Sequence, residues 1–202
     1  TGTMTEAPIT VTYVYELKDA SVLVKYLDSE TGAELAPNEL IEGKVFDSYE
    51  TTAKTFNEYN LTATPSNAEG TMTVTETSSE TLVKYEYVKK ATKVVEKYVD
   101  INSNEVVSSI DHPGKIDDEY EITPSAPEGY VLLTEDAEGN SLLPTNAEGI
   151  MTEEVIEVIY KVAKAATVRA IYVEDGTDTK LATDVVIDGY EGKAYTTSAK
   201  TV

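Results

Sequence analysis

Val83-Lys84-Tyr85-Glu86-Tyr87 alternates apolar and charged residues with a period of two. That is the pattern of a β-strand with one buried face. The run recurs as Val11 to Tyr15, where Ile9, Val11, Tyr13 and Tyr15 share a face, and as Val158 to Val162, where Ile156, Val158, Tyr160 and Val162 do. Upstream of 83–87 stands Asn67-Ala68-Glu69-Gly70-Thr71-Met72-Thr73. It returns as Asn146-Ala147-Glu148-Gly149-Ile150-Met151-Thr152 and, truncated, as Thr1-Gly2-Thr3-Met4-Thr5. Further out lie the tetrads Lys25-Tyr26-Leu27-Asp28, Lys97-Tyr98-Val99-Asp100 and Ile171-Tyr172-Val173-Glu174, whose tyrosines are 72 and 74 residues apart. Gly43, Gly114 and Gly189 each precede a tyrosine (Tyr49, Tyr120, Tyr195) by six positions. Thr52-Ala53-Lys54-Thr55 answers to Ser198-Ala199-Lys200-Thr201. The chain is an array of repeats, each one supersecondary unit long.

Cut at these landmarks, residues 1–19 are the end of a preceding repeat, 20–90 and 91–164 are whole repeats, and 165–202 open a further one. The second whole repeat is longer between Tyr130 and Gly149, and Glu135-Asp136-Ala137-Glu138-Gly139-Asn140 reads as the turn of an extended hairpin. Each repeat is mainly strand. The opening run (Val22, Val24, Tyr26) is followed by the polar turn Asp28-Ser29-Glu30-Thr31-Gly32. The one place for a helix is Asp47 to Thr55, and it is short there, because Thr51, Thr52 and Thr55 are poor helix formers. The joints Glu16 to Asp19, Val88 to Ala91 and Val162 to Ala165 contain neither Gly nor Pro. They lack the composition of flexible linkers, and an elongated, semi-rigid rod is expected.

The balance of charge excludes several functions. Of 202 residues, 16 are Lys or Arg and 37 Asp or Glu, for a net charge of −21. Such a surface repels nucleic-acid phosphates and anionic membranes. No cysteine and one histidine, His112, leave no disulfide scaffold, thiolate metal site or multi-histidine centre. No run approaches the roughly 18 apolar residues of a membrane-spanning helix. The aromatic content is 14 Tyr against 2 Phe and no Trp.

The ordered set of Tyr-x-Asp, a Gly and Tyr six apart, Thr-Ala-Lys-Thr, Asn-Ala-Glu-Gly-Thr-Met-Thr and a closing Val-x-Tyr-x-Tyr strand resembles the MucBP (mucin-binding protein) repeats of Gram-positive bacterial surface adhesins. The resemblance covers nearly the whole chain. It departs where the family's Pro-Gly before the second Tyr is Asn57-Glu58 in one repeat and Glu128-Gly129 in the other. It implies tandem β-grasp (ubiquitin-like) modules with at most one short helix each; the alternative plan is an Ig-like β-sandwich. It also implies an extracellular, wall-anchored protein that adheres to mucin or host glycans.

Candidate chemistry is sparse. Paired carboxylates such as Asp117 with Asp118 are read as a solvated acidic surface and not as a glycosidase pair, which needs a cleft; no catalysis is expected. Calcium prefers hard oxygens on loops, and Asp28 and Glu30 in one turn, with Asp175 and Asp178 in another, supply them without the EF-hand spacing. The expected cofactor is none, with structural calcium as the alternative. Lys25 or Lys97 with Asn67 or Asn146 would suit a spontaneous isopeptide bond only beside a buried carboxylate. Tyr13, Tyr85, Tyr98 and Tyr160 fall in phase with the apolar faces and belong to cores. Tyr59, Tyr130 and Tyr190 lie beside turns and are the candidates for stacking on sugars.

Two functional readings follow. Either the repeats bind mucin-type glycans, or they are a passive stalk that carries another adhesive domain away from the cell wall. Neighbouring repeats of the same protein are expected partners. The terminal segments lack the rest of their sheets, so the chain is expected to be an excerpt of a longer array, with 165–202 completed by a closing strand from the continuing chain or from a neighbouring one, Ile9 to Tyr15 of another copy in the latter case.

Overall fold

The structure is a computed structural model that describes residues 1–201. The chain divides into two compact units, 1–89 and 90–202. No helix forms among the described residues.

In the first unit, β1 (Asp19–Asp28), β2 (Glu39–Lys44), β4 (Tyr59–Leu61) and β6 (Glu80–Lys89) form one sheet in the order β2-β1-β6-β4. The central pair β1 and β6 is parallel, with Val24 opposite Val83 and Tyr26 opposite Tyr85, and each outer strand is antiparallel to its neighbour. First and last strands side by side and parallel at the centre are the β-grasp plan. An Ig-like sandwich would need two packed antiparallel sheets. A short ribbon of β3 (Ser48–Glu50) and β5 (Glu69–Thr71) completes the unit.

The second unit repeats the plan with β7 (Ala91–Asp100), β8 (Val106–Lys115), β10 (Tyr130–Leu132) and β12 (Ile156–Val173) in the order β10-β12-β7-β8, and with the ribbon β9 (Glu119–Glu121) and β11 (Glu148–Ile150). Residues 135–141 form a small hairpin, closed by a bridge between Glu135 and Ser141 and by the Asp136 carboxylate, which accepts the Asn140 amide at 2.7 Å. Strand β12 runs unbroken past Lys164, and its second half pairs with β13 (Lys180–Tyr190).

The segment with helical potential, Asp47 to Thr55, is extended: β3 occupies 48–50, and 51–55 is an irregular strap across the sheet. The sheet beneath explains why. Its inner face presents Val22, Val24, Tyr26, Val83, Tyr85 and Tyr87, all nearly inaccessible to solvent. Each such burial contributes about 1.5–3 kcal/mol, and the rings of Tyr26 and Tyr85 stack at 5.6 Å. A buried tyrosine needs a partner for its hydroxyl, and a strap with free backbone groups supplies it. Tyr26 donates to the Thr52 carbonyl at 3.3 Å, and Tyr85 meets the Thr51 hydroxyl at 2.8 Å. Tyr87 accepts the Lys54 amide and donates to the Lys54 carbonyl, both at 2.9 Å. A helix over 47–55 would consume those backbone groups internally. The second unit does likewise. Tyr160 donates to the Ile122 carbonyl at 2.9 Å, and the Ser125 amide donates to the Tyr98 hydroxyl at 2.7 Å. So does the final segment, where Tyr172 reaches the Ser198 carbonyl at 3.0 Å.

Residues 1–18 form no strand, so the strand read over Ile9 to Tyr15 is absent from this chain on its own. In this plan a closing strand pairs in parallel with the opening strand of its own repeat, and among the described residues no opening strand pairs with 1–18. Val11, Tyr13 and Tyr15 are exposed as a result.

Two outcomes follow for the strap. Tyr87→Phe leaves the Lys54 amide and carbonyl without their partner and should cost the first unit about 1–3 kcal/mol, measured by urea unfolding. Burial, aided by Glu39, pushes the Tyr26 pKa up to about 12, and burial, aided by Glu96, does the same for Tyr98. Raised tyrosine pKa values mean that the folded state holds the protons longer. The tyrosines' contribution to stability should therefore be constant below the unfolded tyrosine value of about 10 and be lost between there and about 12, read as thermal midpoints falling across that window.

Candidate functional site

The Tyr-x-Asp motif has a structural explanation. Two residues beyond the core tyrosine, on the same face, Asp28 ends β1 and its carboxylate accepts the amides of Glu30 at 2.7 Å and Thr31 at 3.0 Å. Those two amides, Thr31 foremost, hold its carboxyl below the usual carboxylate range. Asp100 staples the next turn the same way through the Asn102 and Ser103 amides. These oxygens are turn staples. Glu30 lies exposed on that turn, and Asp175 and Asp178 lie exposed on the turn after β12. Among the described residues, no three of His, Asp and Glu gather as a metal site.

The recurring Asn is also a staple. Asn67 donates its side-chain amide to the Leu82 carbonyl at 3.0 Å, and Asn146 donates to the Glu157 carbonyl at 2.9 Å, tying the ribbon to the closing strand. Lys25 pairs with Glu34 and Lys97 with Glu157. Glu96, the buried carboxylate next to Lys97 in sequence, alternates to the inner face and is held by Tyr98 and His112. The structure does not bring lysine, asparagine and buried acid together for an isopeptide bond.

The three candidate tyrosines are all half-buried. Tyr59 packs edge-on to Phe56 and against the core of the first unit, and burial together with Asp28 raises its pKa. Tyr130, on β10, packs against the core of the second unit. Tyr190 ends β13 and lines a pocket of about 190 Å³ with Ala166, Val168, Ile187 and Gly189.

Two features escape a reading of the sequence. Phe46 follows β2 in a tight turn with φ of 77° and is 72% exposed. The left-handed region disfavours a bulky L-residue by roughly 1–2 kcal/mol; Asp117 and Gly192 hold the matching positions in the other repeats, at φ of 68° and 91°. The second feature is the Glu96–His112 pair, at 2.8 Å, with Glu96 only 4% exposed. Alignment of the repeats puts it where the first repeat has Val24 and Ile41. In the sequence Glu96 stands between Val94 and Tyr98 on an otherwise apolar face; its partner lies across the β7–β8 pairing and is not adjacent in sequence.

The MucBP domain family matches residues 1–16, 21–88, 93–161 and 167–202. The chain belongs to the MucBP domain family. Among curated relatives, internalin J of Listeria monocytogenes serotype 4b (strain F2365) is 36% identical over 212 residues, covering all of this chain and 22% of the relative. Internalin I of Listeria monocytogenes serovar 1/2a (strain EGD-e) is 29% identical over 166 residues, covering 81% of this chain and 8% of the relative. The chain thus spans about a fifth or less of these proteins' lengths. Among solved structures, SHIRT domains 3-4 of a streptococcal cell surface protein cover 71% of this chain and 96% of their own, with 10% identity and a TM-score of 0.33. The type 2 repeat of the mucus binding protein MUB from Lactobacillus reuteri covers 72% of this chain and 99% of its own, with 14% identity and a TM-score of 0.25.

For this MucBP chain, Glu96→Val with His112→Ile rebuilds the first repeat's apolar pair and should leave the second unit as stable or up to about 4 kcal/mol more stable. His112→Ala alone should cost about 1–3 kcal/mol, because it leaves the buried Glu96 carboxylate with Tyr98 as its remaining named partner. Urea unfolding of both variants checks the two signs.

Proposed function

We propose that this chain is a non-catalytic repeat region of a bacterial cell-surface adhesin that contacts mucin-type host glycans. The observation that carries the reading is the match of MucBP repeats to nearly the whole length of the chain. The site within it is inferred from Phe46. Strained backbone persists where the surroundings enforce it and clusters at binding sites. Here the strain displays an aromatic ring to solvent at the turn where the Phe46 amide donates to the Met72 carbonyl. An aromatic face in water suits the apolar face of a sugar ring. Tyr59, Tyr130 and Tyr190, each half-buried within its own repeat, are the further glycan-contact candidates of this reading. A location outside the cell, with anchoring to the wall through another region of a longer protein, belongs to the same proposal.

The stalk reading has its own support. Strand β12 passes from the closing strand of one repeat to the opening strand of the next without a break, so that joint has no hinge. Binding of residues 1–202 to immobilised mucin decides between the two. The adhesin reading predicts binding that persists at high salt and weakens about three- to tenfold in Phe46→Gly, the size of one aromatic contact, while the variant keeps its thermal midpoint. Absence of binding at high protein concentration would leave the stalk as the function.

A further inference from the structure

A sheet with one face on the core and one in water carries polar residues on the wet side. The first repeat departs from this. Val22, Val24 and Tyr26 of β1 face the core, so Leu23 and Lys25 face outward. Pairing of β1 with β2 sets Leu40 opposite Leu23, and pairing with β6 sets Leu82 opposite it on the other side. Leu40, Leu23 and Leu82 thus form a row across three strands of the outer face. Leu40 is 55% exposed and Leu82 41%. None of the three packs in the core of the repeat. On one side of the row stand Glu42, Ser21 and Glu80, and on the other Lys25 beside Lys84. Lys25 reaches Glu34 at 3.2 Å. Glu42, Glu80 and Lys84 are exposed, and Lys84 makes no ion pair among the described residues.

The second repeat closes the same face with its own side chains. Its row is Asp111, Val95 and Glu157. Lys93 pairs with Asp111 at 2.6 Å and Lys97 with Glu157, so two ion pairs straddle Val95, which is only 7% exposed. In the first repeat leucines stand where those two acids are. The apolar row is therefore a property of the first repeat and not a requirement of the plan.

We propose that this face joins two copies of the chain, packed sheet to sheet about a two-fold axis that runs along the leucine row. Charge selects both the occupant and its orientation. A two-fold axis along the row lays each leucine over its own counterpart and reverses the strand direction. The lysine side of one copy then covers the glutamate side of the other. Lys84 comes over Glu80 of the other copy, and Lys25 comes between its Glu42 and Glu80. A two-fold axis along the strands would instead set lysines on lysines and glutamates on glutamates. The patch is self-complementary, as a two-fold contact requires. Stacked sheets stand about 10 Å apart, with strands about 30° from alignment, so the contact is confined to the leucine row and the rows beside it. An interface of that size belongs to the weak, reversible class. The contact holds two adhesin chains side by side and does not depend on whether either binds a glycan.

The test uses the 202-residue chain. In sedimentation equilibrium the parent should pass from monomer to dimer as concentration rises. Leu40→Asp with Leu82→Glu gives the first repeat the acids of the second and should raise the dissociation constant by at least about tenfold. Its thermal midpoint should be kept, because neither side chain packs in the core. Lys84→Glu and Glu80→Lys should each weaken association about three- to tenfold. An equimolar mixture of those two variants should restore it, since each carries the charges that the other needs. With a short bismaleimide, Leu82→Cys should cross-link to a second Leu82→Cys copy and not to a Leu40→Cys copy. A parent that stays monomeric at all attainable concentrations overturns the proposal. So does association that survives Leu40→Asp with Leu82→Glu, a mixture of charge variants that associates no better than either alone, or cross-linking of Leu82→Cys to Leu40→Cys.

Discussion

Hydrogen bonds from the sheet's inner-face tyrosines to the backbone of the strap hold these repeats together. A four-stranded sheet with one apolar face has to be covered, and a β-grasp module ordinarily covers it with a helix. Here the cover has almost no regular structure, so the backbone groups it turns toward the sheet need partners from outside the strap. Tyr26 and Tyr87 provide them from below in the first repeat, and Tyr98 and Tyr160 in the second, while Tyr85 meets the Thr51 side-chain hydroxyl. Lys54 adds a cation over the Tyr26 ring at 4.3 Å, matched by Lys200 over Tyr172 at 4.7 Å. This accounts for a composition with many tyrosines and hardly any phenylalanine: phenylalanine would fill the volume and leave the strap unbound.

The same plan organises the joints. The carbonyls of Lys18, Lys90 and Lys164, each at the boundary before an opening strand, accept the amides of Val45, Ile116 and Glu191. Each repeat thereby fastens the end of its hairpin's second strand to the residue just before its first. Asp47 and Asp118 close the turn that follows by accepting the Lys44 and Lys115 amides at 2.7 Å. Met72 then locks over Gly43, and Met151 over Gly114, glycines that must lack a side chain because the sulfur occupies that space.

Much of this was legible in the sequence because repetition exposes which positions are constrained. The alternation at 83–87 and 156–162 marks the closing strands, and the phase of Tyr85, Tyr98 and Tyr160 marks them as core. The strap was not legible. Asp47 to Thr55 carries a capping residue and a plausible helical length, and only the long-range demand of tyrosine hydroxyls for backbone partners makes it extended. The parallel partner of each closing strand was hidden as well, since the two lie some sixty residues apart. Without that pairing, Ile9 to Tyr15 looks like a strand in its own right. Of the candidate sugar-stacking residues, Tyr59 and Tyr130 turned out to be half-buried against cores, because a position beside a turn does not say which way a ring faces. Phe46 gave no signal beyond being one of two phenylalanines.

Amide hydrogen exchange across the strap tests the role of the tyrosines most directly. If their hydroxyls hold the strap to the sheet, the amides of Lys54 and Ser125 should exchange as slowly as those of the central strands β1 and β7, opening only with the unit as a whole. The Thr52 and Ala53 amides, which have no such tyrosine partner, should exchange faster. Exchange of Lys54 and Ser125 at the rate of an unstructured chain, beside well-protected strands, would contradict it.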